Sequence, residues 1–112
     1  MLAILKTVAL FVLAALCELG GAYLIWQWQR EGKARLWAVL GIVALFLYGM
    51  IQTAQSLTFG RAFAAYGGIF IIAATLWGWW VDGRVPDRFD WLGATLCVLG
   101  AAVIVWAPRG GS

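Results

Sequence analysis

The side chain with the clearest capacity for chemistry is a carboxyl group inside a long apolar segment. Glu18 lies near the middle of the apolar run from 4 to 28, and it is the only charged residue deep in any such run. A charged carboxylate at the centre of a bilayer costs about 2.5–3.5 kcal/mol on insertion scales, so something must offset that cost. Intramembrane carboxyl groups commonly mark ion or substrate paths. The sequence therefore predicts a site where Glu18 exchanges a proton for a cation.

A purely structural role for Glu18 is the alternative. In that case the carboxyl group stays protonated and is hydrogen-bonded to a group such as Tyr48, Tyr66 or Thr75. The functional interpretation has a requirement of its own, because no other apolar run carries a charged residue deep enough to pair with Glu18. A second carboxylate in the site must then come from another copy of the chain.

Small residues surround Glu18 at helical spacing. Ala14, Ala15, Gly21 and Ala22 lie three or four positions away, which places them on the same side of a helix. Small side chains let a neighbouring helix approach closely in a membrane. We therefore expect Glu18 to face a partner helix, with Gly21 as a packing contact.

A row of aromatic side chains in the third apolar run could bind a cation. Phe63, Tyr66, Phe70 and Trp77 follow spacings of three and four, so they share one helix face. Aromatic faces attract cations by about 0.5–2 kcal/mol per contact. Ordinary core packing explains the same spacing equally well. Phe63 and Tyr66 are thus candidates for a cation-binding surface that would complement Glu18, with Phe70 and Tyr48 as candidates for its further lining.

The elements that must position these residues are membrane-spanning helices. The chain has 112 residues, of which 64% are hydrophobic and only 12% charged, whereas soluble domains carry roughly 25% charged residues. Lipid offers the backbone no hydrogen bonds, so apolar runs of this length become helices. We predict an all-α, single four-helix transmembrane domain, lying in the lipid bilayer as a multi-pass protein, with helices at about 4–28, 36–53, 63–81 and 91–107.

Several function classes lack their parts in this sequence. There is no histidine, and Cys17 and Cys97 stand alone in apolar runs, so neither a metal site nor a nucleophilic triad is expected. No phosphate-binding glycine motif is present. The net charge of +3 is spread over isolated residues rather than a basic face. We expect no enzyme activity, no catalytic residue, no cofactor and no nucleic-acid partner.

The fourth apolar run carries a small-residue groove. Gly93, Leu96 and Gly100 share one helix face. Such grooves seat a partner helix in membranes. Contact with a second subunit and packing within one subunit are both open at this point.

Motifs along nearly the whole chain resemble one known family. They are Glu18 followed by Gly21, the segment GRAFAAYGG from 60 to 68, and VDG at 81–83 followed by DWLGA at 90–94. With them the chain resembles the YnfA-like family of small bacterial inner-membrane proteins. That family in turn resembles the small multidrug resistance transporters, which are four-helix antiparallel dimers that exchange protons for hydrophobic cations.

The more distant resemblance implies roles for individual residues. Glu18 matches the glutamate shared by proton and drug, and Gly93 to Gly100 falls on the helix-four dimer contact. Phe63 and Tyr66 fall where those transporters place a tyrosine and a tryptophan. Phe63 lacks a hydroxyl group and Tyr66 is smaller than tryptophan, so the resemblance does not carry over the substrate range.

The function expected from the residues and the resemblance together is efflux by proton antiport. The partners would be a small cationic substrate and a second copy of the chain, in a homodimer for which an antiparallel arrangement is one option. Two alternatives belong to other classes. A passive channel for a small ion would need no titrating carboxyl group, and in a non-transporting accessory subunit Glu18 would serve assembly alone.

Overall fold

The chain is folded into helices with short connections. A computed structural model describes residues 2–109, and no strand occurs in that part of the chain. All its helices are long and apolar enough to cross a membrane, which confirms the predicted all-α class with four spanning helices. They are α1 (Leu2–Glu31), α2 (Arg35–Gln52), α3 (Phe59–Trp80) and α4 (Arg88–Trp106).

Each of the four helices begins before its predicted apolar limit, and α1 also extends beyond its predicted limit at the C-terminal end. Helix α1 continues through polar residues to Glu31, because glutamine, arginine and glutamate are all good helix formers. It ends at Gly32, whose φ of +70° suits glycine. Helix α3 begins at Phe59 rather than near 63, which adds one turn before the predicted aromatic row.

The chain forms two compact units, Met1–Ser56 and Leu57–Ser112. In the first unit, α1 and α2 are joined by three residues and pack along their length as an antiparallel pair. Their closest approach involves Gly21 and Gly41: a Cβ atom added to Gly21 would lie 2.8 Å from the Gly41 carbonyl oxygen. Glycine at both positions is therefore what allows the two backbones to touch.

In the second unit, α3 and α4 meet through small residues. Gly68 lies so close to α4 that an added Cβ atom would lie 2.7 Å from the Cβ atom of Ala101. Ala65, Ala94 and Ala101 are buried, and Ala101 is the residue that meets Gly68. Close packing in a membrane depends on such small side chains, because lipid gives helices no hydrophobic reason to associate.

The start of α4 is fixed by a reciprocal cap. The Asp87 carboxylate accepts a hydrogen bond from the Asp90 N–H at 2.8 Å, and the Asp90 carboxylate accepts one from the Asp87 N–H at 2.9 Å. This capping box satisfies two backbone donors that a helix start leaves without partners. It thereby defines where the loop after α3 ends.

Basic and aromatic side chains pair at the loop between α1 and α2. The Arg30 guanidinium lies 4.7 Å from the centre of the Trp26 ring, and the Lys33 ammonium lies 5.6 Å from the Trp37 ring. Tryptophan and basic residues favour the headgroup level of a bilayer. These pairs therefore mark one membrane–water boundary of the first unit.

Candidate functional site

Glu18 lies in α1 beside the surface that packs against α2. The turn before it is tightly packed: Ala14 and Ala15 have no exposed surface, and Phe11 is 2% exposed. One turn after Glu18, Gly21 contacts α2. Glu18 itself is half-buried in the isolated chain, so the carboxyl group lies at the edge of the α1–α2 contact.

Tyr48 of α2 interacts with Glu18. It is close enough for the charge of the Glu18 carboxylate to act on the tyrosine hydroxyl group. A hydroxyl group can both donate and accept a hydrogen bond, so it can serve a carboxylate, a protonated carboxyl group or a bound ligand. The structure therefore brings together two of the residues singled out from the sequence.

The register of the α1–α2 pair places further residues relative to Glu18. Gly21 meets Gly41, and Gly41 also meets Ile25. Near the other end of the pair, the Gln55 side chain donates a hydrogen bond of 3.0 Å to the Thr7 carbonyl oxygen. The two helices are therefore antiparallel: the start of α1 lies beside the end of α2, and the end of α1 lies beside the start of α2.

This register locates Gln52, a residue that the sequence interpretation did not single out. It is the last residue of α2, four positions after Tyr48, so both lie on one helix face. By the register it faces residues 10–14 of α1, one to two turns, or ~6–12 Å along the axis, from Glu18. A polar side chain one turn beyond a tyrosine in an apolar helix is the signal that could have identified it.

Gln52 is also the polar side chain with unsatisfied hydrogen-bonding capacity. It is 5% exposed, and among the described residues neither its Nε2 nor its Oε1 atom has a hydrogen-bond partner. Tyr48 lies close enough to the carboxamide group to interact with it, but the two groups do not meet the geometric requirements of a hydrogen bond. A buried polar group without a partner costs about 1–3 kcal/mol, so Gln52 calls for an explanation.

The predicted aromatic row is present in α3 from Phe63 to Phe70, and Phe59 extends it by one turn toward the start of the helix. Ring centroids lie 4.7 Å apart for Phe59 and Phe63, 6.4 Å for Phe63 and Tyr66, and 5.7 Å for Tyr66 and Phe70. Tyr66 is only 4% exposed. The rings form a continuous aromatic face along the first three turns of α3, the geometry that both a packed core and a cation-binding wall require.

The predicted site residues fall into two groups. Glu18 and Tyr48 belong to the first unit, whereas Phe63, Tyr66 and Phe70 belong to the second. That all five line one site stays a prediction. Thr75, a proposed partner of a structural carboxyl group, donates its hydroxyl to the Ile71 carbonyl oxygen of its own helix at 2.8 Å.

The small-residue groove of α4 is open. A Cβ atom added to Gly93 or Gly100 would have no described atom within 4 Å, and Leu96 is 61% exposed. Helix α3 instead contacts α4 through Ala101 and the Cys97 backbone. The groove therefore remains accessible to a partner helix.

Comparison with known proteins places the chain among bacterial membrane proteins. Residues 4–110 match the family described as "Uncharacterised BCR, YnfA/UPF0060 family". The chain is 55% identical over 101 residues to a UPF0060 membrane protein of Halalkalibacterium halodurans, covering 89% of this chain and 94% of the relative.

Two further relatives are similar over almost their whole length. The membrane protein YfjF of Bacillus subtilis is 50% identical over 107 residues, covering 95% of this chain and 98% of the relative. A UPF0060 membrane protein of Saccharopolyspora erythraea is 54% identical over 110 residues, covering 97% of this chain and 100% of the relative. No solved structure matches the chain.

Proposed function

We propose that this chain, which belongs to the YnfA/UPF0060 family, is a small proton-coupled transporter that exports hydrophobic or small organic cations. Its homologues are named membrane proteins and each of its helices can cross a bilayer, so the chain is a membrane protein. The observation that carries the proposal is the position of Glu18, an ionisable group in a spanning helix whose charge acts on the Tyr48 hydroxyl group of α2.

The exchange rests on competition for one carboxyl group. A deprotonated Glu18 attracts a cation, and a protonated one does not, so proton binding releases the cargo. Tyr48 orients the carboxyl group from α2, and it can donate to the carboxylate when the site is charged. The aromatic face of Phe63, Tyr66 and Phe70 is proposed to attract an organic cation, and this attraction is stronger once the cation has lost its water.

The transporter is proposed to work as a homodimer in the bacterial inner membrane and to have no enzyme activity. A second copy would bring a second Glu18 to the pathway, and two interacting carboxyl groups titrate as a pair. The open groove of Gly93, Leu96 and Gly100 on α4 offers the surface for that contact. An antiparallel arrangement would give the inward-open and outward-open forms equal energies, which suits alternating access.

The experiment that tests this function is ethidium flux in proteoliposomes under a proton gradient. The wild-type protein is expected to move ethidium against its gradient and to stop when the proton gradient is collapsed. Glu18→Gln is expected to abolish the flux. Glu31→Gln is the matched control, because it removes a carboxyl group from the same helix at its exposed end.

The other outcomes separate the competing functions. Flux that persists in Glu18→Gln and ignores the proton gradient would contradict the exchanger and indicate a channel. Absence of flux from every variant, together with a larger membrane protein that co-purifies with the chain, would indicate an accessory subunit.

A further inference from the structure

The buried carboxamide of Gln52, in the first unit, has no role in the proposed exchange of proton and cation. Both of its polar atoms lack a hydrogen-bond partner among the described residues, although the side chain is 5% exposed. Proteins nearly always satisfy buried polar groups, with water where protein atoms are absent. A carboxamide offers both donors and an acceptor, so a single group that both donates and accepts, such as water or a hydroxyl group, can bind to it.

The surroundings connect this carboxamide to the proposed cation site. Tyr48 lies one turn before Gln52 on α2, and its hydroxyl group interacts with both the Glu18 charge and the Gln52 side chain. Gln52 faces the stretch of α1 where Ala14 has no exposed surface. Glu18, Tyr48 and Gln52 therefore follow one another along the α1–α2 contact, with the carboxylate and the carboxamide ~6–12 Å apart along the helix axis.

We infer that Gln52 is a polar subsite of the Glu18 site, which binds a hydroxyl group carried by the cargo at a fixed distance from its cationic nitrogen. This rests on the proposed function, since it takes Glu18 as the group that binds the cation. The cargo class is an amino alcohol whose chain spans the two groups. When no cargo is bound, a water molecule takes the place of the hydroxyl group and makes the same hydrogen bonds.

Displacement of the water at Gln52 by the cargo determines which cargo is expected to bind more tightly. A hydroxyl group can reproduce both hydrogen bonds of the displaced water, whereas a methyl group of similar size reproduces neither. If the hydroxyl group of a ligand lies at the wrong distance from the cationic nitrogen, it does not reach Gln52. The water then stays in place, and the hydroxyl group adds nothing to the affinity. Selectivity for the hydroxyl group should therefore depend on chain length and on Gln52.

The test is isothermal titration of the detergent-solubilised full chain with two matched pairs of amines. One pair is 6-aminohexanol and heptylamine, which differ by hydroxyl against methyl at a spacing that reaches Gln52. The other is ethanolamine and propylamine, which are too short to reach it. In Gln52→Leu the affinity ratio of the long pair is expected to shift about tenfold toward heptylamine, and the ratio of the short pair is expected to stay at its wild-type value.

Two further variants keep the test decisive. Gln52→Met retains the length of the side chain without its hydrogen-bonding atoms, and it should give the same shift even if leucine disturbs folding. Gln55→Leu is the matched control, because the Gln55 carboxamide already donates to the Thr7 carbonyl oxygen. It is expected to leave both ratios unchanged.

The outcomes distinguish this subsite from the proposed function. Loss of all binding in Glu18→Gln, with unchanged ratios in both Gln52 variants, would overturn the subsite and leave the cation site standing. Wild-type binding in Glu18→Gln, with the ratio shift present in Gln52→Leu, would overturn the role of Glu18 and keep the hydroxyl subsite. If the wild-type protein binds none of the four amines, both are contradicted.

Discussion

Gly21 and Gly41 touch backbone to backbone across the α1–α2 contact. A Cβ atom at Gly41 would lie 2.7 Å from the Gly21 carbonyl oxygen and 2.7 Å from the Ile25 Cγ1 atom. This contact sets how closely α2 approaches α1, and hence how close Tyr48 lies to Glu18. Packing and site geometry in the first unit thus depend on the same pair of glycines.

Gly41→Ala is expected to destabilise the protein by about 1–3 kcal/mol, since the added methyl group overpacks a backbone contact that cannot yield. Gly49→Ala is the control in the same helix, because an added Cβ atom there has no described atom within 4 Å. Without a clash, replacing a helical glycine with alanine gains about 0.5–1 kcal/mol. Thermal unfolding in detergent measures both, and equal unfolding temperatures would contradict the close contact.

The cap of α4 gives a pH dependence with a definite sign. The hydrogen bond from the Asp90 backbone N–H, helped by the charge of Arg84, holds the pKa of Asp87 below its usual range. A lowered pKa in the folded state means that the ionised cap stabilises the protein at neutral pH, and that this contribution is lost as pH falls through the folded-state pKa.

Asp87→Asn isolates this contribution, because asparagine also caps helices but does not titrate. We expect the unfolding temperature of the wild-type protein to fall more than that of Asp87→Asn between about pH 5 and pH 2. Parallel pH curves for the two proteins would show that the Asp87 carboxylate does not act as described.

Gln52, the last residue of α2, and Gln55, three positions after it, should respond oppositely to replacement by leucine. Gln52→Leu removes a buried carboxamide that no described protein atom satisfies, so only its hydrogen bonds to water are lost, and stability is expected to stay the same or to rise. Gln55→Leu removes a side chain that donates to Thr7, and a loss of about 0.5–1.5 kcal/mol is expected. Thermal unfolding without added amines is the measurement, and a larger loss in Gln52→Leu than in Gln55→Leu would contradict the assignment.

The open groove of α4 predicts an effect on assembly rather than on folding. Gly100→Ile fills the groove and is expected to lower the dimer fraction, measured by cross-linking in lipid nanodiscs at matched protein density. Gly49→Ile is the control, since an added Cβ atom at Gly49 also meets no described atom within 4 Å. An unchanged dimer fraction in Gly100→Ile would remove α4 from the interface.

The sequence predicted the elements well and their contacts less completely. Apolar length and low charge were enough for the four spanning helices, because lipid leaves the backbone no alternative to helix. Both ends of α1 and the start of α3 lay further out; at the C-terminal end of α1 this is because glutamine, arginine and glutamate continue a helix beyond the apolar core. Placing the end of α1 required recognising Gly32 as its cap, since the positive φ of this glycine ends the helix.

The site was predictable only in part. Glu18 stands out from composition alone, and helical spacing was enough to place Phe63, Tyr66 and Phe70 on one face. For Gln52, helical spacing shows only that a polar side chain lies one turn beyond Tyr48. Its significance depends on burial and missing partners, and these are properties of the packed α1–α2 pair rather than of spacing along one helix.

The most direct measurement of the central claim is proton release when a cationic cargo is added to the purified protein in weak buffer. Wild-type protein and Glu31→Gln are expected to release protons as the cargo binds, and Glu18→Gln is expected to release none. Equal release from all three would show that Glu18 is not the exchanging group, and it would contradict the transporter proposed here.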